Sequence, residues 1–327
     1  MNENQLHFLK IATSNDFEMA AIATFNRQYE ENNVYRSYCD LLNISPSEIK
    51  TIKDIPYLPI QFFKSHEVKC FKASPKITFT SSGTTAAVNA QHPILHKEIY
   101  ENSFQKGFEN RYGDPKDWAI LALLPSYLER QGSSLIYMMD ALIQQSSHPS
   151  SGFYLDEFDQ LKAQLETLEA QKYPTILLGV SFALLDFAEQ HPLSLQHSIV
   201  METGGMKGRR KEMIREDLHA TLKKAFGVKE IHSEYGMTEL LSQAYSMGNG
   251  RFECPAWMKV IPYETNDPFS PVKGTKIGRL NIIDLANQES CAFIATDDLG
   301  RVFPDGSFEV MGRLDQSDIR GCNLLVY

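Results

Sequence analysis

A run of hydroxyl side chains around one glycine is the first feature of this sequence that could do chemistry. In ITFTSSGTT, apolar and β-branched residues precede Ser81, Ser82, Gly83, Thr84 and Thr85. Backbone N–H groups and short hydroxyls in such a loop can bind an anion, and glycine permits a close approach. Nucleotide phosphates would fit this chemistry, although the Walker A spacing and its lysine are missing. Such loops are also common as plain turns, so both interpretations stay open.

Two further glycine-containing motifs each follow a predicted strand. ETGGMKG contains Gly204 and Gly205, which would let the backbone approach a flat ring or a phosphate, or would simply form a strand-to-helix turn. HSEYGMTE sets an aromatic ring, a hydroxyl and a carboxylate within five residues, at Tyr235, Thr238 and Glu239. A ring can stack on a base, a hydroxyl can hold a phosphate, and a carboxylate can hold Mg²⁺.

The last candidate segment combines ATDDLGR with GRLDQSDIRGC. A carboxylate in a turn after a strand, as expected for Asp297 and Asp298, can accept hydrogen bonds from both hydroxyls of a ribose. Paired acids beside glycine are also ordinary turn chemistry, so this signal alone is weak.

The hydrophobic pattern predicts the elements that must position these motifs. Helices are predicted at 15–32, 97–112, 133–145, 157–171, 182–190 and 208–226. They alternate with apolar strands at 118–125, 174–179, 197–202 and 230–233, which indicates a parallel sheet covered on both faces. Beyond residue 247, short strands at 258–263, 276–284, 290–295 and 307–311 predict an antiparallel, β-rich part. The proline-interrupted segment 55–64 is expected to cross the core in an extended form.

Composition excludes several classes of protein. The chain has 327 residues, 43% of them hydrophobic and 22% charged, which suits one large globular domain or two. A net charge of −9 argues against a nucleic-acid partner. No apolar run reaches the length of a bilayer span, and the first residues lack a secretory signal. Five scattered cysteines without a C-x-x-C pair favour the cytoplasm over a disulfide scaffold or a structural zinc site.

The order of the motifs is more specific than any one of them. TSSGTT, TGG, YGMTE, TDDLG and GRLDQSDIRG occur in sequence over residues 80–321. This series resembles that of the adenylate-forming superfamily, the acyl-CoA synthetases and their relatives. IPYLPIQFFKSHEV, LLPSYLERQGSSL and ETGGMKGRRKE are similar to the LuxE-type acyl-protein synthetases, which are related to phenylacetate-CoA ligases. The resemblance implies the α/β fold of the N-terminal domain of adenylate-forming enzymes, with mostly parallel sheets flanked by helices and a smaller β-rich subdomain.

The resemblance also implies a domain division, cofactors and site residues. Residues 1–246 would be the α/β nucleotide- and acyl-binding region, and residues 247–327 a β-rich subdomain that completes the nucleotide site and ends at the hinge motif. ATP and Mg²⁺ would be the cofactors. The implied contacts are, for the phosphates, Ser81, Ser82, Gly83, Thr84 and Thr85; for adenine, Gly204, Gly205 and Tyr235; for the α-phosphate, Thr238; for Mg²⁺, Glu239; and for the ribose region, Asp298 and Arg313.

The implied activity is activation of a fatty or aromatic carboxylic acid as an acyl-adenylate. In acyl-protein synthetases a cysteine of the enzyme near the C-terminus then takes the acyl group and passes it to a reductase partner, and Cys322 stands at the matching place. Arg320 would favour its thiolate, the attacking form, although a buried inert cysteine is the alternative. An acyl-carrier protein or coenzyme A are the other possible acceptors.

The sequence departs from the wider superfamily at its end. Six residues follow Gly321, so the mobile C-terminal domain and the lysine it carries are expected to be missing. Lys64, Lys207 and Arg209 are candidate replacements, a partner could supply the cation, or catalysis could be weak or lost.

Three alternative functions stay open at this point. The first is an acyl-CoA ligase, and the second is a degenerate nucleotide- or acyl-binding module without activity. The third is an α/β-hydrolase, because GVSFA around Ser181 is close to the G-x-S-x-G nucleophile elbow.

Overall fold

The computed structural model describes residues 3–81, 88–125, 132–205, 210 and 213–314. None of the helices in these ranges is long and apolar enough to cross a membrane. The first helix shows how local sequence sets a boundary: Thr13 Oγ1 accepts from the Asp16 N–H, and the Asp16 carboxylate accepts from the Thr13 N–H. The helices are α1 (Ser14–Glu31), α2 (Asn33–Leu41), α3 (Phe62–Ser65), α4 (Lys97–Tyr112), α5 (Ser134–Ser146), α6 (Phe158–Ala170), α7 (Ser181–Gln190) and α8 (Arg215–Phe226).

One large mixed sheet runs through the described part of the chain, beside a small hairpin. The strands are β1 (Leu58–Pro59), β2 (Ile77–Thr80), β3 (Gln91–Ile94), β4 (Ala119–Leu123), β5 (Gly152–Tyr154), β6 (Thr175–Val180), β7 (Ser198–Thr203), β8 (His232–Tyr235), β9 (Ala244–Ser246), β10 (Phe252–Glu253), β11 (Met258–Tyr263), β12 (Gly278–Asp284), β13 (Phe293–Val302) and β14 (Phe308–Arg313). The order in the sheet is β11-β12-β13-β14-β10-β9-β8-β7-β6-β4-β5, with β1 beside β13. Strands β2 and β3 form the separate antiparallel hairpin.

The parallel part of the sheet, β4 to β8, is covered on both faces as predicted. Every residue of β4 and β6 is buried, as expected for strands packed between helices. Side chains alternate between the two faces. Met201 points towards α4 and α5, where it lines a small cavity with Phe108 and Met138. Glu202 points the other way, towards Ser181 at the start of α7.

The antiparallel part, β11 to β14, extends the same sheet. The first part of the predicted crossing 55–64 is extended, because Leu58 and Pro59 pair in parallel with Ile294 and Ala295 of β13, whereas residues 62–64 are helical. The short helix α3 ends the crossing. The sheet runs without interruption across residue 247, and the division of the chain at that position stays a prediction.

Two predicted elements have the wrong bounds. The helix predicted at 208–226 begins at Arg215, where the acidic Glu216 and Asp217 suit the positive end of a helix, unlike the basic residues before them. The strand predicted at 290–295 runs from Phe293 to Val302, so Asp298 lies inside a strand and not in a turn. Gly300 makes this possible, since a Cβ there would lie 1.9 Å from the carbonyl oxygen of Glu309 in β14.

Candidate active site

Asp298 is the meeting point of three motifs that are far apart in the sequence. Tyr235, the last residue of β8, donates its hydroxyl to Asp298 Oδ2 at 2.7 Å. Arg313, opposite Asp298 on β14, donates Nε to Oδ1 at 2.8 Å. Asp298 is 4% exposed, while the Arg313 side chain is 69% exposed. The carboxylate is therefore held in one orientation, and the guanidinium beside it can reach a ligand.

The ring of Tyr235 packs inside the protein. Its centroid lies 5.7 Å from that of Phe252 and 5.4 Å from that of Phe308. Burial and the neighbouring Asp298 raise the pKa of the Tyr235 hydroxyl, so it remains a hydrogen-bond donor. The adenine contact of this ring stays a prediction, and its observed role is to orient Asp298.

The backbone of Thr238 and Glu239 is held by a buried clamp that sequence reasoning missed. His92 Nδ1 lies 2.8 Å from the carbonyl oxygen of Thr238. Asn287 donates Nδ2 to the carbonyl oxygen of Glu239 at 2.7 Å. His92 Nε2 lies 2.8 Å from the hydroxyl oxygen of Ser290, which is also within hydrogen-bonding distance of Asn287 Oδ1. We name His92, Asn287 and Ser290 the carbonyl clamp.

The tautomer of His92 follows from its partners. All three residues of the carbonyl clamp are fully buried, and burial lowers the pKa of His92 to about 4. The neutral ring has a single N–H, and a carbonyl oxygen can only accept, so the proton lies on Nδ1. Nε2 is then the acceptor. The signal for the carbonyl clamp in the sequence was the polar run NQES, which contains Asn287 and Ser290 and lies between two apolar strands.

Replacing His92 by phenylalanine should weaken both the fold and the site. The change keeps an aromatic ring against Phe63, whose centroid lies 5.5 Å away, but leaves the Thr238 carbonyl without its donor. We expect a loss of about 1–3 kcal/mol in the free energy of unfolding, measured with urea. His92→Asn, which offers an N–H near the position of Nδ1, should lose less. Equal losses in the two variants would contradict the role of the Nδ1 hydrogen bond.

The turn after β7 is connected through Ser181 to the buried carboxylate of Glu202. Gly204 has φ of +67°, a conformation that glycine adopts without strain, and no atom of the described residues lies within 4 Å of where a Cβ of Gly205 would be. Ser181 Oγ lies 3.0 Å from the Gly204 carbonyl oxygen and 3.2 Å from Glu202 Oε2. Burial alone would raise the pKa of Glu202, but its interactions with His219 and with the charge of nearby Arg215 outweigh burial and lower it.

The same contacts remove the support for a hydrolase. Ser181 is 1% exposed, and its hydroxyl faces a carboxylate and a backbone carbonyl. A nucleophilic serine needs an exposed hydroxyl beside a base such as histidine. Within the described residues, no histidine hydrogen-bonds to Ser181.

Ser81, the first residue of the predicted phosphate loop, is hydrogen-bonded to the backbone of Ala90. Its N–H donates to the Ala90 carbonyl at 3.1 Å, and its Oγ accepts from the Ala90 N–H at 2.8 Å. The other members of the predicted phosphate loop, Ser82, Gly83, Thr84 and Thr85, lie outside the described residues, as do Lys207, Arg209 and Cys322. Their predicted roles stay predictions.

Comparisons with known proteins agree on the fold. No family model matches the chain. The long-chain-fatty-acid–luciferin-component ligase of Aliivibrio fischeri is 22% identical over 92% of this chain and 85% of that protein. A structure of 2-hydroxyisobutyryl-CoA ligase with 2-HIB-AMP and coenzyme A superposes with a TM-score of 0.69, at 13% identity over 92% of this chain and 70% of that one. ATP-bound MatB from Rhodopseudomonas palustris gives 0.54, at 15% identity over 74% of this chain.

The chain has the fold of the adenylate-forming ligases. The predicted resemblance to this superfamily, and to its LuxE type, is confirmed by these similarities. The chain spans about half the length of MatB, since the superposition covers 49% of that protein. The motifs of β8, β13 and β14 meet at Asp298, and the turn after β7 follows the strand that pairs with β8.

Glu239 suits a magnesium ion shared with phosphates better than a metal site made by protein alone. Its side chain is 6% exposed, and burial raises its pKa to about 6, against the opposing charges of Arg313 and Lys64. The described ranges contain no cluster of three or more metal-ligating side chains. Mg²⁺ commonly uses one or two carboxylates together with substrate phosphates, so Glu239 fits the group.

Glu234 should make stability depend on pH in a predictable direction. It is 7% exposed on the α4 side of β8, and burial raises its pKa to about 7 against the hydrogen bond from Thr203. The folded chain thus keeps a proton that the unfolded chain releases near pH 4.5, and stability falls as the pH rises through this window. Between about pH 5 and about pH 8, Glu234→Gln should gain on the order of 2–3 kcal/mol relative to the parent in urea unfolding. Parallel pH profiles of the two proteins would contradict this assignment.

Proposed function

We propose that the chain uses ATP to activate a carboxylic acid as an acyl-adenylate and then transfers the acyl group to a thiol. The observation that carries the proposal is the convergence of Tyr235, Glu239, Asp298 and Arg313 at one edge of an adenylate-forming fold. A fatty acid is the favoured substrate, because the curated relative is named as a long-chain fatty acid ligase.

In the first step a carboxylate oxygen of the acid attacks the α-phosphorus of ATP, and pyrophosphate leaves. Asp298, oriented by Tyr235, would accept hydrogen bonds from the ribose, and Arg313 would contact the same region. The carbonyl clamp would hold the Thr238 hydroxyl towards the α-phosphate. Magnesium, bound through Glu239 and the phosphates, would offset the charge that develops on the leaving pyrophosphate. Of the three candidate replacements for the lysine of the wider superfamily, Lys64 is the one that lies within the described residues.

In the second step a thiolate attacks the acyl carbon, a thioester forms, and AMP leaves. The thiolate is the nucleophile, so a neutral buried thiol is unsuitable. Burial raises the pKa of Cys39, Cys70 and Cys254 to about 12, and that of Cys291 rises as well. This leaves Cys322, which lies beyond the described residues, as the proposed acceptor. From there the acyl group would pass to a protein such as a reductase or a carrier.

ATP–pyrophosphate exchange tests the first step. Exchange should appear only when a suitable acid is present, and a panel of fatty and aromatic acids would identify the class. Absence of exchange with every acid would refute adenylation. ATP binding without exchange would instead favour a binding module without activity.

An acyl-CoA ligase is the second candidate function. It is favoured by the superposition on a ligase solved with coenzyme A. Formation of acyl-CoA by the purified chain, with no acyl group retained on the protein, would support this alternative over the acyl-protein synthetase.

A further inference from the structure

The loop that carries Thr238 and Glu239 joins β8 to β9 and belongs to neither strand. From Glu239 to Gln243 the loop is buried, so its backbone groups need partners inside the protein. One of them is satisfied within the loop, since the Leu240 N–H donates to the Met237 carbonyl oxygen at 3.1 Å. Several others are bound by side chains from elsewhere in the chain, and the path of the loop therefore depends on those side chains.

Asp284, the last residue of β12, binds the part of the loop that follows Glu239. Its Oδ2 accepts from the N–H of Leu241 at 2.8 Å and from that of Ser242 at 3.0 Å. Its Oδ1 accepts from the Ser242 hydroxyl at 2.6 Å and from the N–H of Ala286 at 3.1 Å. Asp284 is fully buried, so these donors replace the water that its carboxyl group loses on folding.

Asp284 and the carbonyl clamp hold the loop on both sides of the Glu239 side chain. The clamp binds the carbonyl oxygens of Thr238 and Glu239. Asp284 binds the N–H groups of the second and third residues after Glu239. Asp284 and two members of the clamp come from one segment, residues 284–290. The backbone around Glu239 is therefore fixed relative to this segment by side chains, where a strand would be fixed by its neighbours.

The position of Glu239 is important because of the ion that it would bind. Mg²⁺ demands near-ideal octahedral geometry, with ligand distances of about 2.0–2.1 Å. A displacement of about 1 Å in a reacting group can cost about 100-fold in rate. Groups that orient a metal ligand from outside typically change metal affinity or activity about 10–100-fold when they are removed.

We propose that Asp284 is a positioning residue, which keeps the Glu239 carboxylate in place for the magnesium ion that it shares with the phosphates of ATP. This inference rests on the proposed acid activation and on the metal role of Glu239. Asp284 would act through Glu239 and would not touch the ion, because each of its two oxygens already accepts two hydrogen bonds. These four bonds fill the lone pairs of a carboxylate.

The test is a double-mutant cycle in ATP–pyrophosphate exchange. Asp284→Asn keeps the shape of the side chain but can accept at one oxygen only, so we expect the exchange rate to fall about tenfold. In the Glu239→Gln background the same change should have no further effect, because the carboxylate that Asp284 positions is no longer there. Raising the magnesium concentration should recover part of the rate of Asp284→Asn, while the KM for the acid should stay that of the parent.

Glu169→Gln is the matched control. Glu169 also accepts from two backbone N–H groups, those of Gln196 and His197. Its third donor is the hydroxyl of Ser198, the first residue of β7. Ser198 and the Gly204 turn lie at opposite ends of β7, so this variant should keep the exchange rate of the parent.

Ser242→Ala tests the same contact if Asp284→Asn does not fold. It removes the hydroxyl donor to Asp284, while Trp257 keeps a partner, since its Nε1 lies 3.1 Å from the Ser103 hydroxyl. This variant should lose less of the exchange rate than Asp284→Asn, and it should lose it only when Glu239 is present.

The outcomes separate this inference from the proposed function. If Asp284→Asn lowers exchange by the same factor with and without Glu239, its effect is general and the inference is overturned, while acid activation stands. The parent rate in both Asp284→Asn and Ser242→Ala would overturn it as well. No exchange by the parent protein would refute the proposed function and, with it, this inference.

Discussion

Glu239→Gln should lower the rate of ATP–pyrophosphate exchange on the order of 100-fold, because a metal ion contributes several kcal/mol to stabilising charge in such a step. The amide keeps the shape of the side chain and removes the charge that would hold magnesium. The expected loss lies in kcat more than in the KM for the acid, since charge develops on the phosphates. Raising the magnesium concentration should recover part of the rate.

A measurement of stability distinguishes this loss of exchange rate from unfolding of the Glu239→Gln variant. Burial raises the pKa of Glu239 to about 6, so at about pH 8 the parent protein carries a buried charge that glutamine lacks. The variant should therefore be at least as stable as the parent there. Glu166→Gln, at a position on α6 that is 56% exposed, is the matched control and should keep the parent rate. Unchanged exchange in Glu239→Gln would rule out the proposed metal role.

Cys322→Ser should abolish the covalent acyl label that forms when the protein is incubated with a labelled acid and ATP. A thioester is expected at Cys322 because an acyl-adenylate is open to a thiolate, and the neighbouring Arg320 favours that form. The label on the parent protein should be released by neutral hydroxylamine. Loss of label in the variant, seen on a denaturing gel, would support the acyl-enzyme step.

The other cysteines supply the controls. Cys70 is partly exposed, but burial raises the pKa of its thiol to about 12, and the thiol lies 3.2 Å from the Ser290 carbonyl. Cys70→Ser should therefore keep the label. If labelling survives in Cys322→Ser but is lost in Cys70→Ser, the acceptor has been assigned to the wrong cysteine. If no variant and no parent protein is labelled, coenzyme A becomes the favoured acceptor.

The regular elements were largely predictable from hydrophobic pattern. The helix at 97–112 and the strand at 258–263 have the predicted bounds, and residues typical of turns, Gly113 and Asn266, follow their ends. The predictions were wrong where the local residue types are typical of a different kind of structure. TDDLG has the composition of a turn, yet its residues lie in β13, because pairing with β14 satisfies their backbone groups. Non-local pairing of this kind leaves no local signal.

The order of the motifs in the sequence was sufficient to predict the fold. It also identified the candidate residues Tyr235, Glu239, Asp298 and Arg313, because each motif contains residue types suited to one part of a nucleotide. The tertiary structure decided how those residues are held. The hydrogen bonds to Asp298 and the carbonyl clamp join residues that are up to 198 positions apart, such as His92 and Ser290. A sequence records the composition of such contacts but not their partners, since distance in space depends on how the whole chain packs.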